Sequence, residues 1–206
     1  MWYNEHHSTE RYTSMSKSIQ IGLISGSLRK ASYNTQLVKY VGKRAAEKDG
    51  VELVWIDLNE LDLPMFSEDL EANGLPESAL KLKETMIACD AFLISTPEYN
   101  GSISGALKNA IDWASRPNGD EPSLACFKGK VCGLLAASPG GLGGLRGMRH
   151  VRQILTQLHT LVIPLEFALG SAHQAFDADG NLKDEKAAGI ASSVGFETVR
   201  VCQKLK

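Results

Sequence analysis

Three segments of this chain run apolar without alternating: Ile19–Ser25 (IQIGLIS), residues 91–95 (AFLIS) and residues 130–137 (KVCGLLAA). A strand with one wet face alternates apolar and polar side chains, whereas a strand buried on both faces does not. Each run is too short for a typical helix and is followed by a turn residue or a proline. The chain therefore needs a sheet covered above and below, and the segments between the runs must supply the cover.

Those segments read as helices. Residues 35–48 put Leu37, Val38, Val41 and Ala45 on one face, and residues 76–88 offer Leu80, Leu82, Met86 and Ile87. Residues 104–115, 146–159 and 185–204 have the same period, with Arg116-Pro117-Asn118-Gly119 as breakers after the first of these. Residues 51–58 (VELVWIDL) and 161–168 complete five strands. Strands alternating with helices imply a parallel sheet with helices on both faces, and right-handed crossovers wind it into a three-layer α/β sandwich. Five strands suit a flavodoxin-like order better than a six-stranded dinucleotide fold. The 206 residues fit one domain, expected over 18–206. Residues 1–17 have no apolar period and are expected to form a disordered tail or extension, with Met15 as an alternative start. His6 and His7 in this tail read as solvated, not metal-binding.

Several classes fall away. With 22 Lys and Arg against 24 Asp and Glu, the net charge is −2, which supplies no field for nucleic acid or an anionic membrane. No run approaches the roughly 20 apolar residues of a membrane span, and the N-terminal segment lacks the apolar core of a signal peptide. Cys89, Cys126, Cys132 and Cys202 have no metal-ligand spacing and are expected as reduced core thiols, in a cytoplasmic protein. Residues 177–181 read as a turn without the ligands of a calcium loop. No metal is expected. There are 19 glycines, somewhat above average, and their placement matters more than their number.

Ligands of open parallel sheets bind beyond the carboxyl ends of the strands, where the winding reverses. Three loops there are chemically unusual. The first is Gly26-Ser27-Leu28-Arg29-Lys30-Ala31-Ser32-Tyr33-Asn34, between a strand and a helix. Helix-terminal N–H groups, Ser27, Ser32, Asn34 and the Arg29 fork suit a phosphate; a plain helix cap with a solvated arginine is the alternative. It is neither a P-loop nor a GxGxxG turn. The second is Thr96-Pro97-Glu98-Tyr99-Asn100-Gly101-Ser102, a fixed turn whose amides and Tyr99 ring could meet a flat ligand, or simply pack on the protein. No histidine neighbours Glu98 and Tyr99 in sequence, which argues against acid–base catalysis by them. The third, Ser138-Pro139-Gly140-Gly141-Leu142-Gly143-Gly144, either lets a ring approach the backbone or is a flexible connector. Arg146, Arg149 and Arg152 follow at helical spacing, as a solvated face, a subunit contact or a seat for an anionic cofactor. There is no GxSxG elbow, and His150, His159 and His173 have no assigned partner.

The segments GSLRKASYN, TPEYNGSISGALKNAIDW and SPGGLGGLRGMRHVRQIL, in this order and spacing, resemble the NADPH-dependent FMN reductase family of flavodoxin-like proteins. Its bacterial members include soluble quinone, chromate and azo-dye reductases. The resemblance spans residue 19 to about residue 169. It implies bound FMN and NADPH (or NADH) as co-substrate. By position, Ser27, Arg29, Ser32 and Asn34 resemble the family's FMN-phosphate loop. Pro97, Glu98, Tyr99, Asn100 and Gly101 match its flavin-ring loop, and Ser138, Gly140 and Gly141 its third loop. Tyr99 is expected in the acceptor pocket, and no side chain is an obligatory catalyst. The family implies a homodimer or homotetramer with flavin sites near the interface, a region the Arg146 helix resembles. The long N-terminal segment, and a weaker match after His173, depart from the family.

The expected function is ping-pong electron transfer from NADPH through FMN to a small-molecule acceptor: a quinone, chromate, an azo or nitro compound, or free flavin. The alternative is a flavodoxin-like electron carrier with no pyridine-nucleotide activity. A carrier's acidic docking face finds little support in a charge of −2. A third reading is a regulatory module that kept the fold.

Overall fold

A computed structural model describes residues 18–206, so the expectations for the N-terminal tail and for His6 and His7 lie outside the described residues. Five strands, β1 (Ile19–Ser25), β2 (Val51–Ile56), β3 (Ala91–Thr96), β4 (Val131–Ala137) and β5 (Leu161–Leu169), pair in parallel in the order β2-β1-β3-β4-β5. This is the flavodoxin-like order, with the reversal of winding between β1 and β3.

The absence of alternation in the central strands now has its reason. Leu93, Val131 and Leu135 point into one core, with Leu37 and Val41 of α1 (Tyr33–Ala45) and Val194 and Val199 of α7 (Glu185–Leu205). Phe92, Ile94, Cys132 and Leu134 point into the other. That second core is closed by α4 (Glu77–Ala88), α5 (Gly105–Ala114) and α6 (Leu145–Gln157). Every residue of β3 and β4 is buried, while the edge strands β2 and β5 are partly exposed.

Two short helices, α2 (Leu58–Leu61) and α3 (Glu68–Glu71), were not anticipated. The second strand accordingly ends at Ile56 and not at residue 58. Asp57 stops it by accepting the Asn59 N–H at 2.9 Å as the N-cap of α2. The loop after α2 is stapled to α5. The Asn109 side chain accepts from the Phe66 N–H at 2.8 Å and donates to the Pro64 carbonyl at 3.0 Å, and the Trp113 indole donates to the same carbonyl at 2.7 Å. Residues 109 and 113 share a helix face by their spacing of four, so this part of the KNAIDW motif serves folding. The four cysteines are free, buried thiols. Burial pushes Cys89 and Cys126 up to about 11, and raises Cys132 and Cys202.

Candidate active site

The first loop leaves β1 and enters α1. Ser32 is the N-cap of α1, accepting the Thr35 N–H at 3.1 Å, and the first turn holds no acidic residue. Ser27 and Ser32 are buried beneath the loop, and Arg29 is exposed. Arg29 pairs with no carboxylate among the described residues; its nearest aromatic neighbour is the Tyr33 ring, 5.7 Å away. Orphan N–H groups of a first turn beside an unneutralised guanidinium form a seat for an anion.

Asn34 has a second task besides the one its place in the loop suggests. Its carboxamide, at the edge of the cleft, is tied to the end of β4 and to β3. Nδ2 donates to the Ala137 carbonyl at 3.0 Å, and Oδ1 accepts from the Ala137 N–H at 2.9 Å and the Ser95 hydroxyl at 2.8 Å. Both side-chain polar atoms thus hold the end of β4, and the second Nδ2 hydrogen and the backbone N–H, in the first turn of α1, remain for an anion.

The second loop is a two-residue turn closed on itself. The Tyr99 N–H donates to the Ser102 carbonyl at 3.0 Å and the Ser102 N–H to the Tyr99 carbonyl at 3.1 Å. Asn100 and Gly101 both have positive φ, 53° and 78°, the pattern of a primed turn that asparagine and glycine favour. Tyr99 is half exposed. The Glu98 carboxylate turns to the start of α6, as suits a residue not expected to act as an acid or base. It accepts from the backbone N–H of Arg146 at 3.0 Å and of Gly147 at 3.4 Å, and is ion-paired with the Arg146 guanidinium. Burial alone would raise the carboxyl, but these donors more than offset it and hold it below the usual carboxylate range. Glu98 is therefore an ionised tether, unsuited to donating a proton.

Helix α6 grips the other end of the loop as well. The Ser102 hydroxyl lies 2.9 Å from Nδ1 of His150. A Cβ on Gly147 would sit 2.9 Å from the Ser102 carbonyl oxygen, so only glycine lets helix and loop approach this closely. His150 and Ser102 lie 48 residues apart, so nothing local in the sequence pairs them. The arginine face of α6 is not simply solvated either: Arg149 and Arg152 both pair with Glu166 on β5.

The third loop follows β4. Ser138 accepts the Gly140 N–H at 3.2 Å. Beside Gly101 and Gly141 there is open space where a side chain would stand, and Gly140 is nearly as open. Gly26, Gly143 and Gly144 differ. A Cβ at Gly26 would meet Leu107 at 3.1 Å, and one at Gly143 the Gly170 backbone at 2.7 Å. The open glycines of the second and third loops are thus Gly101, Gly140 and Gly141.

The three loops meet in one cleft. Ser27, Arg29, Ser32 and Asn34 line it from the first loop, Pro97, Glu98 and Tyr99 from the second, and Ser138 and Pro139 from the third. The Ser104 hydroxyl ties the first loop to the head of α5 by donating to the Gly26 carbonyl at 2.5 Å. An anion seat in the first loop, facing the Tyr99 turn and the start of the third loop, matches a phosphorylated planar cofactor such as FMN. Among the described residues no cluster of metal-ligating side chains occurs, and no helix is long and apolar enough to cross a membrane.

Comparison with known proteins agrees with this geometry. The family model described as NADPH-dependent FMN reductase matches residues 19–174. The chain is 43% identical over 180 residues to an NAD(P)H-dependent FMN reductase of Pseudomonas aeruginosa, covering 84% of this chain and 89% of that protein. It is 37% identical over 182 residues to an NADPH:quinone oxidoreductase of Arabidopsis thaliana, covering 85% and 88%. Among solved structures, the flavoenzyme FerB of Paracoccus denitrificans, an NAD(P)H:(acceptor) oxidoreductase, superposes with a TM-score of 0.78 at 34% identity, covering 90% of this chain and 98% of that one. A family match over most of the chain, relatives well above 30% identity along their length, and three loops meeting in one cleft lead to the same conclusion: this chain belongs to the NADPH-dependent FMN reductase family.

Proposed function

We propose that the protein is an NAD(P)H-dependent flavin oxidoreductase that reduces quinones by a ping-pong sequence at tightly held FMN. The observation carrying this reading is the meeting of the anion seat of the first loop with Pro97 and Tyr99 of the second and Ser138 and Pro139 of the third in a single cleft. Bound FMN would supply the redox chemistry, taking hydride from the nicotinamide and passing electrons to the acceptor in a separate half-reaction. The chain's own work is placement. Arg29, the Ser27 and Ser32 hydroxyls and the first-turn N–H groups of α1 hold the phosphate. The Tyr99–Ser102 turn, held at both ends by α6, supports the ring, and Tyr99 borders the acceptor. No side chain acts as acid or base in this scheme, in keeping with the ionised, fully engaged Glu98.

Chromate, azo and nitro compounds and free flavin are proposed as further acceptors, since an exposed reduced ring discriminates weakly among oxidants. A cytoplasmic homodimer or homotetramer is proposed as well. A groove between α5 and α6, with Ile103, Ile111, Ile154 and Leu158 among its walls, offers a surface for a second copy. Anaerobic stopped-flow mixing of the flavin-loaded protein with NADPH tests the reading. Rapid bleaching of the flavin absorbance, then recovery on adding a quinone, is expected; absence of bleaching would return the protein to the electron-carrier class.

A further inference from the structure

The first loop has two sides. One faces the flavin cleft. The other faces a second hollow, at the carboxyl ends of β1 and β2, that shares Ser27 and Arg29 with the cleft. Lys30, Lys39 and Trp55 are among its walls. Like Arg29, both lysines are exposed and pair with no carboxylate among the described residues. The Lys39 ammonium stands 4.3 Å from the centre of the Trp55 ring, a contact that orients the charge without neutralising it. The acid in the wall, Asp57, is already engaged: Oδ1 takes the Asn59 N–H at 2.9 Å and Oδ2 the Trp55 indole N–H at 3.1 Å. The hollow is therefore net cationic. It adjoins an apolar trough through Leu28 and Leu58, where Leu28 and Met65 are 47% and 76% exposed.

We propose that this hollow receives the adenosine 2′-phosphate of NADPH, with Lys30 and Lys39 as its ligands, so that the enzyme takes NADPH in preference to NADH. The inference rests on the flavin oxidoreductase reading. A dinucleotide with its nicotinamide over the flavin must lead its other half out of the cleft, and Arg29 is the ridge between cleft and hollow. Beyond that ridge the chemistry fits the adenosine end. Two unpaired ammonium groups suit a dianionic phosphate, and the trough of Leu28 and Met65 suits an adenine ring. The end of the second strand is also where parallel α/β sheets commonly read the ribose 2′ position, by a free carboxylate for a hydroxyl or a cation for a phosphate. Here the carboxylate is engaged and the cations are free.

Calorimetry on the FMN-loaded protein tests this, with adenosine 2′,5′-bisphosphate and adenosine 5′-monophosphate as probes. These differ only in the 2′-phosphate. The bisphosphate is expected to bind about tenfold more tightly, the scale of two partly exposed charge pairs. In the Lys30→Gln, Lys39→Gln double variant that ratio should fall below about twofold, with flavin content unchanged. The NADPH-to-NADH ratio of kcat/KM should fall with it, through KM. A Lys39→Arg variant, which keeps the charge, should stay close to the parent. Equal binding of the two probes, a ratio preserved in the double variant, or displacement of FMN by the bisphosphate would each overturn the proposal. A protein that takes up no FMN would instead overturn the parent reading. On that flavin-free protein the phosphate seat is open to the probe as well, so the loss of the ratio in the double variant, not the ratio itself, would judge the hollow.

Discussion

Asn34 and Ala137, 103 residues apart, are joined by a reciprocal pair of hydrogen bonds: the Asn34 carboxamide donates to the Ala137 carbonyl and accepts from the Ala137 N–H. The pair pins the start of α1 to the end of β4. It thereby sets the distance between the first loop and the start of the third across the cleft.

Replacing Asn34 with Ala should destabilise the fold by about 3 kcal/mol. It leaves the Ser95 hydroxyl and both Ala137 backbone groups buried without their partner. Chemical denaturation measures this. A loss of FMN affinity at unchanged stability would mean that the side chain binds ligand instead.

Arg29→Ala should weaken FMN binding about 10- to 100-fold, the scale of one or two charge-assisted bonds, and leave the melting temperature unchanged. Arg29 is exposed and makes no ion pair among the described residues. Fluorescence titration of flavin-free protein with FMN gives the affinity; an unaltered value would sink the phosphate assignment.

Glu98→Gln should cost about 1–2 kcal/mol at neutral pH, because its partner Arg146 is largely exposed while Glu98 is not. The folded carboxyl titrates below its ordinary 4.5, so the ion contributes fully above that value and its contribution is lost as pH falls through the lower folded value. Denaturation curves of parent and variant should therefore converge in acid. A gap that stays constant from neutral pH to about pH 3 would rule out this account.

Tyr99→Ala should alter quinone kinetics, chiefly KM, because the half-exposed ring borders the cleft. Tyr99→Phe should change them less, since the ring is kept. If both variants match the parent for several quinones, Tyr99 does not shape the acceptor pocket.

The native protein should react with thiol reagents only as fast as it opens. All four cysteines are buried, and desolvation raises their thiols, Cys89 and Cys126 to about 11. Titration with a chromogenic disulfide should show fewer than one fast thiol per chain, and four reactive thiols after denaturation.

Much of this protein was legible in one dimension because the relevant physics is local. The unalternated runs of β1, β3 and β4 could only be strands buried on both faces, and their alternation with helical segments dictated a doubly covered parallel sheet. Loop chemistry at strand ends, such as Arg29 before a helix N-terminus and the Asn100-Gly101 turn, was readable for the same reason. What tertiary structure alone decided is how each polar group is used. Asn34 and Glu98 both line the cleft, but packing ties the carboxamide of one to Ala137 and the carboxylate of the other to Arg146. His150 gained Ser102, Asp57 became a helix cap, and Gly26 and Gly143 proved to be packing glycines where Gly101 and Gly140 face open space. A hydrogen bond needs its partner within about 3 Å. For Asn34, Glu98 and His150 the partner lies tens of residues away in sequence, so only the folded chain could pair them.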